Sequence, residues 1–404
     1  MTPSTSLDDA LALHEAGCLD AAEAAYRTLL AEHPDHADAL HLLGVLHHQR
    51  EQHAAALPLI AQAVALDPER ALFHGNLGAV LLALGDTPRA IAAFSAALQG
   101  APDHANTRFN LGVALETDGQ SEAALACFEA AAERDPQHPR AALNAAIVLK
   151  KLGRRDEAIE RFRTLLAREP GNTLADHHLA ILLGEARERA PDAWLRQTFD
   201  AAAGDFDRHL TTELGYDTPA RLAALLAPPP AAGWRVLDLG CGTGLSGLAI
   251  RPFASHLAGV DLSPKMLDRA QEKGIYDRLT CAEIHAAMAQ EKSADYDLIF
   301  CTDVFIYLGQ LDTLFAEAAR LLKPGGRFAF SAEALEHADD LAQDFHLQAT
   351  GRYAHRADYL RRLIADHDLQ EAAWQLAPAR LEAGCPVMAW LVVAAREEPS
   401  TTHD

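Results

Sequence analysis

Trp-Arg-Val-Leu-Asp-Leu-Gly-Cys-Gly-Thr-Gly-Leu-Ser-Gly, running from Trp234 to Gly247, is the stretch on which the fold of the C-terminal half turns. Val236, Leu237 and Leu239 form a short apolar run that suits a buried parallel strand. Asp238, Gly240, Gly242 and Gly244 then fall at alternate positions, so the chain must turn sharply. Glycine permits positive φ and has no Cβ, so backbone amides there can approach a ligand closely. The helix that follows, Leu245 to Ala249, opens with its partial positive charge toward the same place.

Outward from this turn, Leu245 stands where a G-x-G-x-x-G fingerprint needs its third glycine, which argues against NAD or FAD. A second strand, His256 to Val260, ends in Asp261. That is about the spacing at which an acidic side chain meets ribose hydroxyls in nucleotide-binding βαβ units.

These segments resemble the class I S-adenosylmethionine-dependent methyltransferases. Asp238-Leu-Gly240-Cys-Gly242-Thr-Gly244 is similar to their first motif, and Val260-Asp261-Leu-Ser263-Pro264-Lys-Met266-Leu to their second. The likeness continues through Cys281-Ala-Glu283-Ile284, Asp297-Leu-Ile-Phe300 and Leu322-Lys-Pro324-Gly325-Gly326-Arg-Phe328, and covers roughly Asp217 to Glu397. It implies a Rossmann-like seven-stranded α/β domain, S-adenosyl-L-methionine as cofactor and S-adenosyl-L-homocysteine as product. By the family pattern Asp238, Gly240, Cys241, Gly242 and Gly244 would hold the methionine end of the cofactor, and Asp261 with Leu262 the ribose. Met266, Glu283 and Ile284 would flank the adenine. Apart from the resemblance, Asp303 after the fourth strand is read as facing the acceptor or, equally, as fixing a loop or the cofactor's amino group.

From Trp234 onward, strand and helix patterns alternate, with strands expected near 235–239, 256–260, 278–283, 296–302, 327–333, 369–377 and 386–394. By the pattern of the family it resembles, the last would insert antiparallel beside the sixth. Acceptor-side candidates are Asp303, Tyr307, Ser331, Glu333, Tyr353, His355 and Arg380, which follow carboxyl strand ends or lie between strands five and six, together with Tyr216. His355, if near the sulfonium, could take a proton from an acceptor. No general base is assigned, because displacement at a sulfonium-activated carbon needs mainly alignment and a dry channel.

The N-terminal half has a different rhythm. Pro34, Pro68, Pro102, Pro136 and Pro170 recur every 34 residues. Small residues (Gly44, Gly78, Gly112, Ala146) and large ones (Tyr26, Ile60, Phe94, Phe128, Phe162) keep the same register. This resembles the tetratricopeptide repeat (TPR), in which small residues let two helices approach and a bulky one fills the gap. The expected organisation is an all-α TPR superhelix over 1–184, made of five repeats and a capping helix. A helical lead-in or lid over 185–230 follows, closed by Pro228-Pro229-Pro230, then the methyltransferase domain over 231–397 and a disordered tail over 398–404. Asn76, Asn110 and Asn144 also stand 34 apart on the first helices. A ladder of carboxamides offers donors and acceptors to an extended peptide backbone, as the alternative to bonding within its own repeats.

Composition sets limits. With 49% hydrophobic and 23% charged residues the chain is globular, and 35 basic against 57 acidic residues give a net charge of −22, which disfavours nucleic acid. No apolar run reaches membrane-spanning length and Met1 to Asp9 lacks the pattern of a signal peptide, so a cytoplasmic location is expected. The six cysteines include no C-x-x-C pair, and the histidine doublets point apart on a helix, so no metal is expected. The expected function is methyl transfer to a protein or peptide captured by the TPR groove. The alternatives are a small-molecule acceptor with the repeats used for docking, and a non-catalytic scaffold that binds the cofactor.

Overall fold

The computed structural model describes residues 6–185, 187–226, 228, 232–335, 343–382 and 384–398. Pro229, Pro230 and the expected tail from residue 399 onward lie outside the described residues. The chain divides into two compact units, Met1–Pro170 and Gly171–Asp404.

The first unit consists of α1 (Leu7–Glu15), α2 (Leu19–Glu32), α3 (Ala37–Gln49), α4 (His53–Leu66), α5 (Ala71–Ala83), α6 (Thr87–Gly100), α7 (Ala105–Thr117), α8 (Ser121–Arg134), α9 (Ala141–Lys151) and α10 (Arg155–Arg168). They pack as successive helix hairpins, each stacked on the next. Size complementarity locks the hairpins. A Cβ added at Gly44 would lie 2.4 Å from Ile60 Cγ1, one at Gly78 2.7 Å from Phe94 Cδ1, and one at Gly112 2.7 Å from Phe128 Cε1. The bulky partners are fully buried, so the register seen in the sequence is a packing rule. The turn inside each hairpin uses one left-handed residue, a glycine at positions 17, 85, 119 and 153 and Glu51 (φ 60°) at the equivalent place.

The second unit begins with α11 (Thr173–Leu183), the helix expected to cap the repeats; its Ala180 and Ile181 are buried against Leu347 and Tyr353 of the same unit. The lead-in comprises α12 (Asp192–Ala202), α13 (Phe206–Arg208), a widened helical turn at His209–Glu213, and α14 (Thr218–Ala224). Strands and helices then alternate: β1 (Trp234–Leu239), α15 (Leu245–Ile250), β2 (Ala254–Asp261), α16 (Pro264–Glu272), β3 (Arg278–Cys281), α17 (Ile284–Gln290) and β4 (Tyr296–Cys301). After these come α18 (Asp312–Leu321), β5 (Leu322–Glu333), β6 (Phe345–Leu347), β7 (Tyr353–His355), α19 (Ala357–Asp366), β8 (Leu369–Glu382) and β9 (Cys385–Arg396).

Seven strands form one sheet in the order β3-β2-β1-β4-β5-β9-β8. The first five are parallel, and β9 runs antiparallel between β5 and β8. Apolar side chains cover both faces, in one cluster around Phe305, Phe315, Phe328 and Phe330 and another around Trp234, Leu257, Phe300 and Leu391. Strand order reverses at β1, which lies between β2 and β4, and this opens a crevice at the carboxyl ends.

The structure corrects the reading of the segment between β5 and β8. Tyr353 and His355, expected on the acceptor side, lie in the antiparallel ribbon β6–β7, where both are 0% exposed. Two aromatic rings among the polar residues gain more from burial than from facing solvent. Among the described residues no helix is long and apolar enough to cross a membrane, and no cluster of three or more His, Cys, Asp or Glu could hold a metal.

Candidate active site

The glycine turn after β1 is held in place by its neighbours. The Cys241 N–H donates to the Val260 carbonyl at the end of β2 (3.0 Å), and Gly240, Gly242 and Gly244 all have positive φ. Gly240 is pressed against Val304, where an added Cβ would meet Cγ2 at 2.2 Å, whereas a Cβ at Gly242 would point into open space. The Asp261 carboxylate closes the loop: Oδ2 accepts from the Gly242 N–H and Oδ1 from the Ser263 N–H, both at 2.8 Å. Burial raises the Asp261 pKa, and these backbone donors pull against it.

Behind the loop lies a residue that sequence reasoning missed. Tyr276 fills a slot bordered by Gly244, Gly247 and Gly259, where added Cβ atoms would come within 3.2, 2.3 and 2.8 Å of its ring or hydroxyl. Its hydroxyl donates to Asp238 Oδ2 (2.7 Å), and Ser246 Oγ donates to the same oxygen (2.6 Å). Asp238 Oδ1 is buried with no partner among the described residues, and burial pushes the Asp238 pKa up to about 7. The signal in the sequence was the pair Gly247 and Gly259, which have no use in the glycine turn itself.

One cavity of about 380 Å³ runs along this crevice, and it collects predicted residues from distant parts of the second unit. Gly240, Cys241, Gly242, Asp261 and Leu262 line one part, joined by Glu283 and Ile284. Asp303, Tyr307, Tyr216 and Arg380 line another. Asp238, Gly244 and Met266 are behind the lining, with Asp238 and Met266 0% exposed. Glu333, Tyr353 and His355 are also outside it. Tyr353 packs with Leu347 and Ile181, and His355 donates from Nε2 to the Gly309 carbonyl (3.2 Å) while its ring stacks on Tyr359. Burial lowers the His355 pKa to about 4, so the imidazole is neutral and occupied with packing.

The lead-in crosses the cavity as a strap, with Leu195, Phe199, Phe206, Leu210 and Leu214 turned into it. Polar ties hold it to each cofactor-motif loop. Asp207 accepts from Thr243 Oγ1 and from Lys273 Nζ (2.7 Å), Asp200 accepts from Ser263 Oγ (2.5 Å), and Arg189 donates to Glu283 (2.8 Å). None of these three strap residues was singled out in the sequence, because each is paired with a partner at least 36 positions away.

The opposite wall is charged. Arg380, 3% exposed, donates to Glu333 (2.7 Å) and Glu382 (2.8 Å). Arg352 also pairs with Glu382. Asp303 has a left-handed backbone (φ 56°); its N–H donates to Ser331 Oγ (2.9 Å), and that hydroxyl lies 3.4 Å from Asp303 Oδ1. Burial raises the Asp303 pKa against the pull of Arg380 and Arg352.

In the first unit the three asparagines of the ladder are all half-buried on their helices. Asn76 donates to His41 Nε2 in the preceding repeat (2.7 Å), so its carboxamide is partly engaged. Asn110 and Asn144 have no side-chain hydrogen bond among the described residues.

Known families match two separate parts of the chain. Residues 237–330 match the profile of the methyltransferase domain family. Residues 7–71, 49–105 and 76–139 match one tetratricopeptide repeat profile, and 115–182 another. The ubiquinone biosynthesis O-methyltransferase of Xylella fastidiosa is 33% identical over 117 residues, 28% of this chain and 47% of that protein. The malonyl-[acyl-carrier protein] O-methyltransferase of Methylococcus capsulatus is 34% identical over 156 residues, 37% of this chain and 54% of that protein. The chain spans about half the length of these curated relatives. Among solved structures, that of YrrB, a TPR protein with an unusual peptide-binding site, is 26% identical, covering 42% of this chain and 88% of that one with a TM-score of 0.40. Residues 237–330 are therefore similar to a methyltransferase domain, and residues 7–182 ahead of them to tetratricopeptide repeats.

Proposed function

We propose that the second unit transfers a methyl group from S-adenosylmethionine to an acceptor seated in its cavity, and that the first unit recruits a protein or peptide to it. The observation that carries the reading is convergence: the glycine turn, Asp261 and the Glu283–Ile284 pair share one cavity with a separate polar wall around Asp303. The size suits a nucleoside plus part of an acceptor, since ligand sites span about 300–1,000 Å³.

The residues present fit the cofactor. Asp238 Oδ1 is a buried acceptor in want of a donor, which the ammonium of a methionine moiety would supply. Gly242 leaves open space where a side chain would intrude, and Asp261 stands beside it with a carboxylate able to accept further bonds from a ribose diol. When bound, the sulfonium supplies an activated methyl group. This chain's own part is to align the reactants and exclude water, for which Phe199, Phe206, Leu210 and Leu214 provide an apolar cover. O-Methyltransferases among the curated relatives support the reaction type.

For the first unit, the uncommitted carboxamides of Asn110 and Asn144 support peptide capture. Calorimetry with S-adenosylhomocysteine tests the cofactor reading. The wild type should bind, and Asp261→Ala should weaken binding about tenfold or more, because it removes both a ribose acceptor and the anchor of Gly242. Equal affinity in the two proteins would dispose of the assignment.

A further inference from the structure

The side chains facing the Asp303 carboxylate come from several elements: Ser331 on β5, Tyr216 ahead of α14, Tyr307 after β4, Arg352 before β7 and Arg380 on β8, with Glu333 just behind. Every basic side chain that lines the cavity already has a carboxylate partner. Arg380 is held by Glu333 and Glu382, Arg352 by Glu382, Arg189 by Glu283 and Asp192, and His209 by Glu213. On the polar wall two guanidinium groups meet three carboxylates, Glu333, Glu382 and Asp303. The wall is thus one negative charge in excess.

Asp303 carries that excess. It makes no ion pair among the described residues, and its one side-chain hydrogen bond is the long contact to Ser331. A half-buried carboxylate facing a cavity can accept further donors. Its place is also particular. The next residue, Val304, is packed against Gly240, so Asp303 stands at the seam between the glycine turn and the polar wall. Its left-handed backbone, unusual for a residue other than glycine, is kept there by the Ser331 hydroxyl.

We propose that Asp303 receives the acceptor directly, and that the acceptor is an apolar body bearing an O–H or N–H donor rather than a carboxylate. The inference rests on the methyl-transfer reading. In the reaction the acceptor oxygen or nitrogen bonds to the methyl carbon as the methyl–sulfur bond breaks, the electron pair of that bond stays with sulfur, and the acceptor's proton passes to Asp303. A carboxylate acceptor would meet a like charge and find no unpaired cation, a combination that costs several kcal/mol.

The test uses the full chain at neutral pH and three probes of one skeleton: para-propylphenol, para-propylbenzylamine and para-propylbenzoate. Binding is measured by calorimetry with and without S-adenosylhomocysteine. The benzoate should bind about tenfold or more weakly than both donors. Asp303→Asn preserves the shape and tolerates the left-handed backbone. It should narrow the gap between benzoate and benzylamine about tenfold while leaving affinity for the nucleoside unchanged. A benzoate that binds as tightly as either donor, no binding by any probe, or a ratio unmoved in Asp303→Asn overturns the proposal. So does a loss of nucleoside affinity in that variant, which would give Asp303 to the cofactor. Failure of the wild type to bind the nucleoside sinks the methyl-transfer reading instead, and the probe ratio measured without nucleoside still decides the role of Asp303.

Discussion

Buried polar side chains define what this protein can do at the scale of single residues. Asp238 and His355 are both fully buried and both neutral at moderately acidic pH, but for different ends. Asp238 keeps one oxygen without a partner among the described residues, beside the glycine turn, while His355 is enclosed by Phe305, Phe345 and Tyr359. The histidine has a consequence for stability. Its pKa is about 4 in the fold and 6.5 in its unperturbed state, so the unfolded chain takes up the proton first as pH falls. Its contribution to stability is complete above pH 6.5 and is lost as pH drops toward 4. Thermal unfolding of the wild type should therefore decline more steeply across that window than that of His355→Phe. Parallel declines would mean that His355 is not kept neutral by burial.

Among the elements, the strap formed by α12, α13 and the turn after them lines the cavity. It contributes little to the core, since none of its helical residues is buried. Its position depends instead on the ties from Asp207, Asp200 and Arg189 to the loops that follow β1, β2 and β3. Elements held by a few partly exposed polar contacts open at low free-energy cost. Asp207→Ala removes the ties to both Thr243 and Lys273, so amide exchange over residues 205–214 should quicken several-fold. Affinity for S-adenosylhomocysteine should also fall about three- to tenfold, as a cover that opens more often retains the nucleoside less well. Unchanged exchange in this variant would show that the apolar contacts of Phe199 and Phe206 hold the strap by themselves.

For the molecule as a whole, the chain folds as two compact units and carries a net charge of −22. If the repeats recruit a polypeptide, the double variant Asn110→Ala, Asn144→Ala should lower transfer of labelled methyl from the cofactor into protein. Its affinity for S-adenosylhomocysteine should remain that of the wild type. Equal labelling by variant and wild type would remove peptide capture by these two carboxamides and favour a small-molecule acceptor.

Both architectures were legible in the chain because their determinants are local. A proline and a small residue every 34 positions can be satisfied by one packing of helix hairpins, and Gly44, Gly78 and Gly112 oppose their bulky partners within a single repeat. The glycine turn, Asp261 and the Glu283–Ile284 pair were likewise visible, since each lies at or just after the end of a strand. The acceptor side was not. Tyr353 and His355 looked functional by their polar neighbours, yet a ribbon too short to predict folded them into an aromatic core. Arg352 owes its pairing to Glu382 on β8, and Tyr276 its place to glycines 29 and 17 residues before it. Spacing along a chain sets backbone conformation; which charges neutralise one another, and which side chain is left facing a cavity, depends on contacts between segments that only the folded sheet brings together.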